Sequence, residues 1–287
     1  MTLIKKASFG ILLFLVQLLS YNAKAQEGQN SLLWKISGNG LEQPSYLFGT
    51  IHMICKSDYF MLPQVQKALK ESKAFYGELN FADIQEMKKM QEMIKSETPL
   101  SQRISSDQYQ IAAKLLKSNL NIDIEEFENM SDLGILSTIT YKSFPCKDIK
   151  MYEIELLQMT AGKKTGGLET VAEQAEIMSS MAGIDTIIKM LQDLNDKDQN
   201  LTAKMVEVYK KQDIQEMIKI MNETSYMDTD NYDLLLSSRN HRWIEKMPAI
   251  MKKQSTFFAV GAGHLAGETG VLNLLKLQGY TIEPVTK

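Results

Sequence analysis

The sequence predicts an α/β (α+β) protein, with a central mixed sheet built from both chain ends and a large helical insertion between them. Three observations lead there. Short apolar, strand-like runs cluster just after residue 31 and again near the end of the chain. The stretch between, residues 82–251, is rich in Met, Lys, Glu, Gln and Leu at helical spacing. Of 287 residues, 44% are hydrophobic and 23% charged, which excludes a disordered polymer and a disulfide-dense miniprotein.

In chain order, residues 1–25 join Lys5 and Lys6 to an apolar run from Ala7 to Leu19 and then to Ala23-Lys24-Ala25, the three-part pattern of a cleaved signal peptide. An anchor helix would need a longer apolar run. The expectation is an exported chain, periplasmic or secreted, with 26–287 as one domain and no stable membrane span after cleavage. Leu32–Ser37 alternates like a strand, Gly38-Asn39-Gly40 reads as a hairpin turn, and Ser45–Thr50 reads as a second strand. Leu62–Lys73 has helical spacing with Pro63 in its first turn, and Ala74–Phe81 is a third strand. Breaks near 96–100, 119–123, 144–145 and 222–230 divide the helical stretch. Within it, Thr165–Glu169 reads as a short strand entering a helix at Thr170. The α/β pattern returns with a strand at Thr256–Val260, a helix at Gly267–Gln278 and a last strand at Tyr280–Val285.

Charge and sulfur narrow the function. Lys+Arg is 32 against Asp+Glu 35, so no basic face for nucleic acid is expected. Cys55 and Cys146, an even pair in an exported chain, are expected to form a disulfide; two buried thiols are the alternative. The 18 methionines recur at helical spacing, as in Met87, Met90 and Met93 or Met178 and Met181. The ordinary reading is adaptable core filler, with a Met-lined groove for varied peptides or a soft-metal site as alternatives.

Two of the three histidines share one setting. Gly49-Thr50-Ile51-His52 and Gly261-Ala262-Gly263-His264 each follow an apolar strand, and ligands of open α/β sheets lie beyond the carboxyl ends of strands. The third strand offers Glu78 on the same crest. His52, Glu78 and His264 suit a divalent cation, Zn, Mn, Co or Fe, which would acidify water and polarise a carbonyl. A metal-free His/carboxylate pair that activates water directly stays open. Glu169 is either a further crest carboxylate or an acid in a helix's first turn. Arg239 is either a fork for a substrate carboxylate or oxyanion, or a structural ion pair. His241 has no comparable setting. Gly261–Ala266 meets the looser dinucleotide fingerprint, but the His264 ring would crowd the backbone approach it exists to open. A Gly-x-Ser-x-Gly elbow and a His-Glu-x-x-His helix are both missing.

These residues resemble the TraB/GumN family, which includes the Tiki-type metalloproteases. The matching segments are Leu33–Ile36, Tyr46–His52, Tyr76–Glu78, Gly167–Thr170, Arg239-Asn240, Val260–Gly267 and Gly279-Tyr280. The paired Gly-x-x-His elements are the specific part. The resemblance implies an α/β core related to the erythromycin-esterase and haem-binding ChaN-like folds. For Tiki-type members it implies divalent-metal-dependent peptide hydrolysis, with the family's motif residues falling on His52, His264, Glu78, Glu169 and Arg239. The function expected is an exported, peptidase-like metal-dependent hydrolase acting on a peptide or small molecule. The alternatives are a non-catalytic peptide, metal or haem binder, or a metal-free esterase-type hydrolase.

Overall fold

A computed structural model describes residues 30–194, 201–223 and 229–286. The expected signal peptide, residues 1–25, and part of the expected break at 222–230 lie outside the described residues. Alternating and apolar runs give the strands β1 (Leu33–Gly38), β2 (Ser45–Thr50), β4 (Ala74–Gly77), β7 (Thr256–Gly261) and β8 (Tyr280–Pro284), and the short Lys-Thr-Gly-Gly segment gives β6 (Lys164–Gly167). They form one six-stranded sheet in the order β6-β4-β7-β2-β1-β8. Its four neighbours β6, β4, β7 and β2 run parallel, while β1 is antiparallel to both β2 and β8. β7, buried at every position, occupies the interior of the sheet, as an uninterrupted apolar run requires. Phe48, Phe257, Phe258 and Trp243 are among the largest fully buried side chains of the core.

The helices divide the remaining chain. They are α1 (Pro63–Glu71), α2 (Ile84–Met93), α3 (Leu100–Arg103), α4 (Ser106–Leu120), α5 (Asp132–Lys142), α6 (Tyr152–Gln158), α7 (Val171–Met181), α8 (Ile184–Asp193), α9 (Leu201–Lys210), α10 (Ile214–Asn222), α11 (Thr229–Tyr232), α12 (Ser238–Lys253) and α13 (Val271–Leu277). Several carry the caps their sequences offer. Ser105 and Thr170 close capping boxes with Gln108 and Glu173 at the starts of α4 and α7. Leu116, Phe127, Ile135, Ile139, Ile187 and Leu191 build a second apolar cluster within the helical stretch, separate from the core against the sheet.

Two expectations need correction. The strand from Ala74 stops at Gly77 rather than Phe81, because the chain turns there. A Cβ on Gly77 would lie 2.7 Å from the Leu79 carbonyl oxygen. The last helix begins at Val271, not Gly267, because Gly267 has φ +89° and the segment before Val271 is a loop. The central mixed sheet is built from both chain ends as expected, and the strand expected at Thr165–Glu169 forms as β6 and pairs in parallel with β4. One element was not foreseen at all. β3 (Met53–Cys55) and β5 (Ile149–Met151) form a two-stranded antiparallel sheet. Beside it, Cys55 and Cys146 form the expected disulfide, closing a sequence separation of 91 residues. Among the described residues, no helix is long and apolar enough to cross a membrane.

Candidate functional site at the strand ends

Parallel strands point their carboxyl ends the same way, so whatever follows them meets on one crest. His52 follows β2, Glu78 follows β4, Glu169 follows β6, and His264 closes the short 3₁₀ turn Ala262–His264 after β7. Arg239 reaches the same place from the first turn of α12, directly after the π-helical turn Asp233–Ser237. Arg239 Nη1 bonds back to the Leu235 carbonyl in that turn at 2.9 Å. All five residues singled out in the sequence are therefore brought together.

Gly261 is the common point. A Cβ there would lie 3.3 Å from Glu78 Oε1, 3.3 Å from His52 Nε2 and 3.6 Å from His264 Cδ2. The bare Cα keeps this space free. Glu78 Oε1 accepts from the Gly261 backbone N–H at 2.7 Å and lies 3.7 Å from His264 Nε2. Glu78 Oε2 accepts from Arg239 Nη2 at 2.6 Å and from Gln174 Nε2 at 3.2 Å. Arg239 also forks onto Glu169, with Nε donating to Oε2 at 3.1 Å and Nη2 donating to Oε1. Glu169 Oε2 further accepts from Trp243 Nε1 at 3.3 Å. Arg239 and both carboxylates are buried, so one cation compensates two enclosed anions. Burial opposes the charge of Glu78, but the His264 and His52 rings, Arg239 and the Gly261 N–H outweigh it and hold the carboxyl at about 2.

The two imidazoles have opposite electrostatics. His264 is buried against the Trp243 ring, with centroids 4.3 Å apart. Its Nδ1–H donates to Asn240 Oδ1 at 2.7 Å, and Nε2 accepts from Arg239 Nη1 at 3.2 Å. That partnering assigns the neutral tautomer. Burial, with Arg239 and His52 nearby, lowers His264 to about 3 against the pull of Glu78. Asn240 is itself fixed by donating to the Thr269 carbonyl at 2.9 Å. His52 keeps 59% of its side chain exposed, while its Nδ1–H donates to buried Glu153 Oε1 at 2.8 Å. Enclosure of the inner edge of the ring opposes its charge, but the Glu153 carboxylate prevails and raises His52 to about 9. Thr50 Oγ1 also donates to Glu153 Oε1 at 2.9 Å, whereas Glu153 Oε2 is buried without a hydrogen-bond partner among the described residues.

Glu153 and Gln174 went unmarked in the sequence reading. Glu153 looks like an ordinary acid in a helix's first turn. The clue was the cysteine pair, since Cys55 lies three residues after His52 and Cys146 seven before Glu153. His241, by contrast, bonds the Ser237 carbonyl at 2.8 Å and takes no part in the crest.

Among the described residues, no three His, Cys, Asp or Glu side chains stand close enough to make a ready-formed metal site. The donor chemistry nevertheless suits a divalent cation. Each imidazole has Nδ1 held by an oxygen, Glu153 Oε1 or Asn240 Oδ1, as metal-ligating histidines do. Their Nε2 edges and Glu78 Oε1 border the space left by Gly261. A cation there would compete with Arg239 for His264 Nε2. The crest opens into a cavity of about 470 Å³ whose walls are largely apolar, with six methionines and four leucines among the lining residues.

Comparison with known proteins bears on this arrangement. The metalloprotease TIKI2 of Xenopus tropicalis is 22% identical over 91% of this chain and 61% of its own length. The metalloprotease TIKI1 of Danio rerio is 22% identical over 90% and 64%, and that of Homo sapiens 22% over 91% and 63%. The chain thus spans about three-fifths of the length of these curated relatives. No solved structure matches it. The model of the TraB/PrgY/gumN family matches residues 32–284, from the start of the sheet to its last strand, and the chain belongs to that family.

Proposed function

We propose that this chain is an exported, metal-dependent hydrolase of peptides, with His52, Glu78 and His264 holding the cation. The observation that carries the reading is the meeting of His52 Nε2, Glu78 Oε1 and the His264 ring around the bare Cα of Gly261. Distant relatives named metalloproteases support the reaction class, and the Cys55–Cys146 bridge supports an oxidising compartment. A bound divalent cation would supply Lewis acidity, polarising a carbonyl and acidifying water. The chain's own residues do the rest. Glu153 and Asn240 orient the two rings through Nδ1. Arg239 clamps Glu78 and Glu169 and so fixes the carboxylate beside the rings. The largely apolar cavity walls would flank the substrate.

The His52–Glu153 pair invites a metal-free reading. The metal reading is preferred because both rings have Nδ1 held by an oxygen and border, with Glu78 Oε1, the space beside Gly261. The test is metal analysis of the purified chain together with cleavage of a peptide library by wild type, His52→Ala and His264→Ala. Bound metal and cleavage confined to wild type are expected. Equal cleavage by wild type and His264→Ala overturns the proposal, and full activity in excess chelator removes the metal from it.

A further inference from the structure

Six methionines, Met90, Met93, Met178, Met205, Met217 and Met221, line the cavity that opens from His52 and His264. They come from four helices, α2, α7, α9 and α10. No single amphipathic stripe accounts for them; helices from different parts of the chain aim the same side chain at one void. Met217 is buried, while the other five are half-buried on the cavity surface. Met221 also packs over the Gly-rich turn, its Sδ 3.0 Å from where a Gly263 Cβ would stand. The charged groups among the described lining residues, His52, Glu78 and Arg239, belong to the crest with His264, and the rest of the wall carries none.

We propose that this cavity is the side-chain pocket of the peptide substrate, and that it selects a bulky uncharged apolar residue, such as Leu, Met or Phe, beside the bond that is cut. This deepens the function proposed above and rests on it. The occupant follows from three properties of the wall. With no charge away from the crest, a Lys or Asp side chain would be desolvated there without a partner. Thioether side chains have three rotatable bonds and a polarisable sulfur, so they reshape around occupants of different outline. The volume of about 470 Å³ lies in the range of ligand pockets, about 300–1,000 Å³, and admits several apolar sizes. Selection is therefore strict for polarity and loose for shape.

The experiment is a binding titration of blocked pentapeptides, acetyl-Ala-Ala-X-Ala-Ala-amide with X as Leu, Met, Phe, Lys or Asp. The protein is the full chain carrying His264→Ala, which leaves all six methionines of the wall in place and is expected to silence cleavage; the same series is then followed for cleavage by wild type. Leu, Met and Phe peptides are expected to bind within a few-fold of one another and about 10- to 100-fold tighter than Lys and Asp peptides. Met93→Lys and Met178→Lys, each at a half-buried wall position, are expected to erase that preference by weakening the Leu, Met and Phe peptides and strengthening the Asp peptide, with the Lys peptide no tighter than before. Equal affinity across the series overturns the pocket. So does an unchanged preference in whichever Met→Lys variant remains folded by circular dichroism. Selective binding without any cleavage by wild type leaves the pocket standing and counts against the hydrolase instead.

Discussion

At Gly261 a hydrogen stands where every other residue would place a carbon, and the site depends on that difference. The backbone there has φ −53° and ψ 135°, ordinary for any residue, so alanine introduces no backbone strain. Its methyl would meet Glu78 Oε1 and His52 Nε2 at 3.3 Å, tight enough to push both aside by a few tenths of an ångström. Gly261→Ala is therefore expected to lower kcat by about 10- to 100-fold through misplacement while leaving the thermal midpoint nearly unchanged. Steady-state kinetics beside a melting curve reads both. Arg239 poses the opposite case. The sequence left it between holding substrate and making an ion pair; its Nε, Nη1 and Nη2 all bond protein groups, so it positions Glu78. Arg239→Ala strands two buried carboxylates and is expected to cost about 3–5 kcal/mol in urea denaturation. Lysine, a point charge without the fork, should recover only part of that.

At the scale of elements, the least legible piece does the most positioning. β3 and β5 have three residues each, too short to show periodicity. Yet Met53 pairs with Met151, which brings the residue before β3, His52, to the helix that follows β5 and carries Glu153. The Cys55–Cys146 bridge closes the same small sheet from its other end. Removing the bridge with Cys55→Ala/Cys146→Ala is expected to destabilise the chain by about 4–5 kcal/mol, the loop-closure value for a loop of roughly this length, and to lower activity by loosening His52 against Glu153. Denaturant midpoints and kcat measured on one preparation check the two effects together. Unchanged kcat in a destabilised variant would mean that the ladder alone sets the histidine. The longer elements were legible because their patterns are strong. β2 begins and ends where the sequence places it, and Thr170 caps the helix it was expected to open. The Thr165–Glu169 run showed a strand, but nothing local says that β6 joins β4; that partner is fixed by the crossover of the whole chain.

Across the whole molecule, histidines encoded far apart in sequence share one space because β2 and β7 are parallel neighbours, with Thr50 opposite Gly261. Repetition of Gly-x-x-His after two apolar strands was enough to anticipate that meeting; the buried Arg239–Glu78–Glu169 network was not, since a carboxylate's partner is a property of the fold. The same network sets the strongest global test of the metal reading. A ligand that binds only the folded chain stabilises it by mass action, about 2.7 kcal/mol at one hundred times its Kd. For a domain of this size that is a rise in Tm of about 5–10 °C. Titration of metal-stripped protein with Zn²⁺, Mn²⁺, Co²⁺ or Fe²⁺ is expected to produce such a rise with at least one of them. His52→Ala and His264→Ala should each remove it, whereas His241→Ala, whose ring bonds the Ser237 carbonyl away from the crest, should keep it. The comparison does not depend on knowing the substrate, because it reads occupancy of the crest rather than turnover. A rise of equal size in all three variants would place the cation elsewhere on the molecule, and no rise with any of the four metals would leave the paired histidines to a role without one.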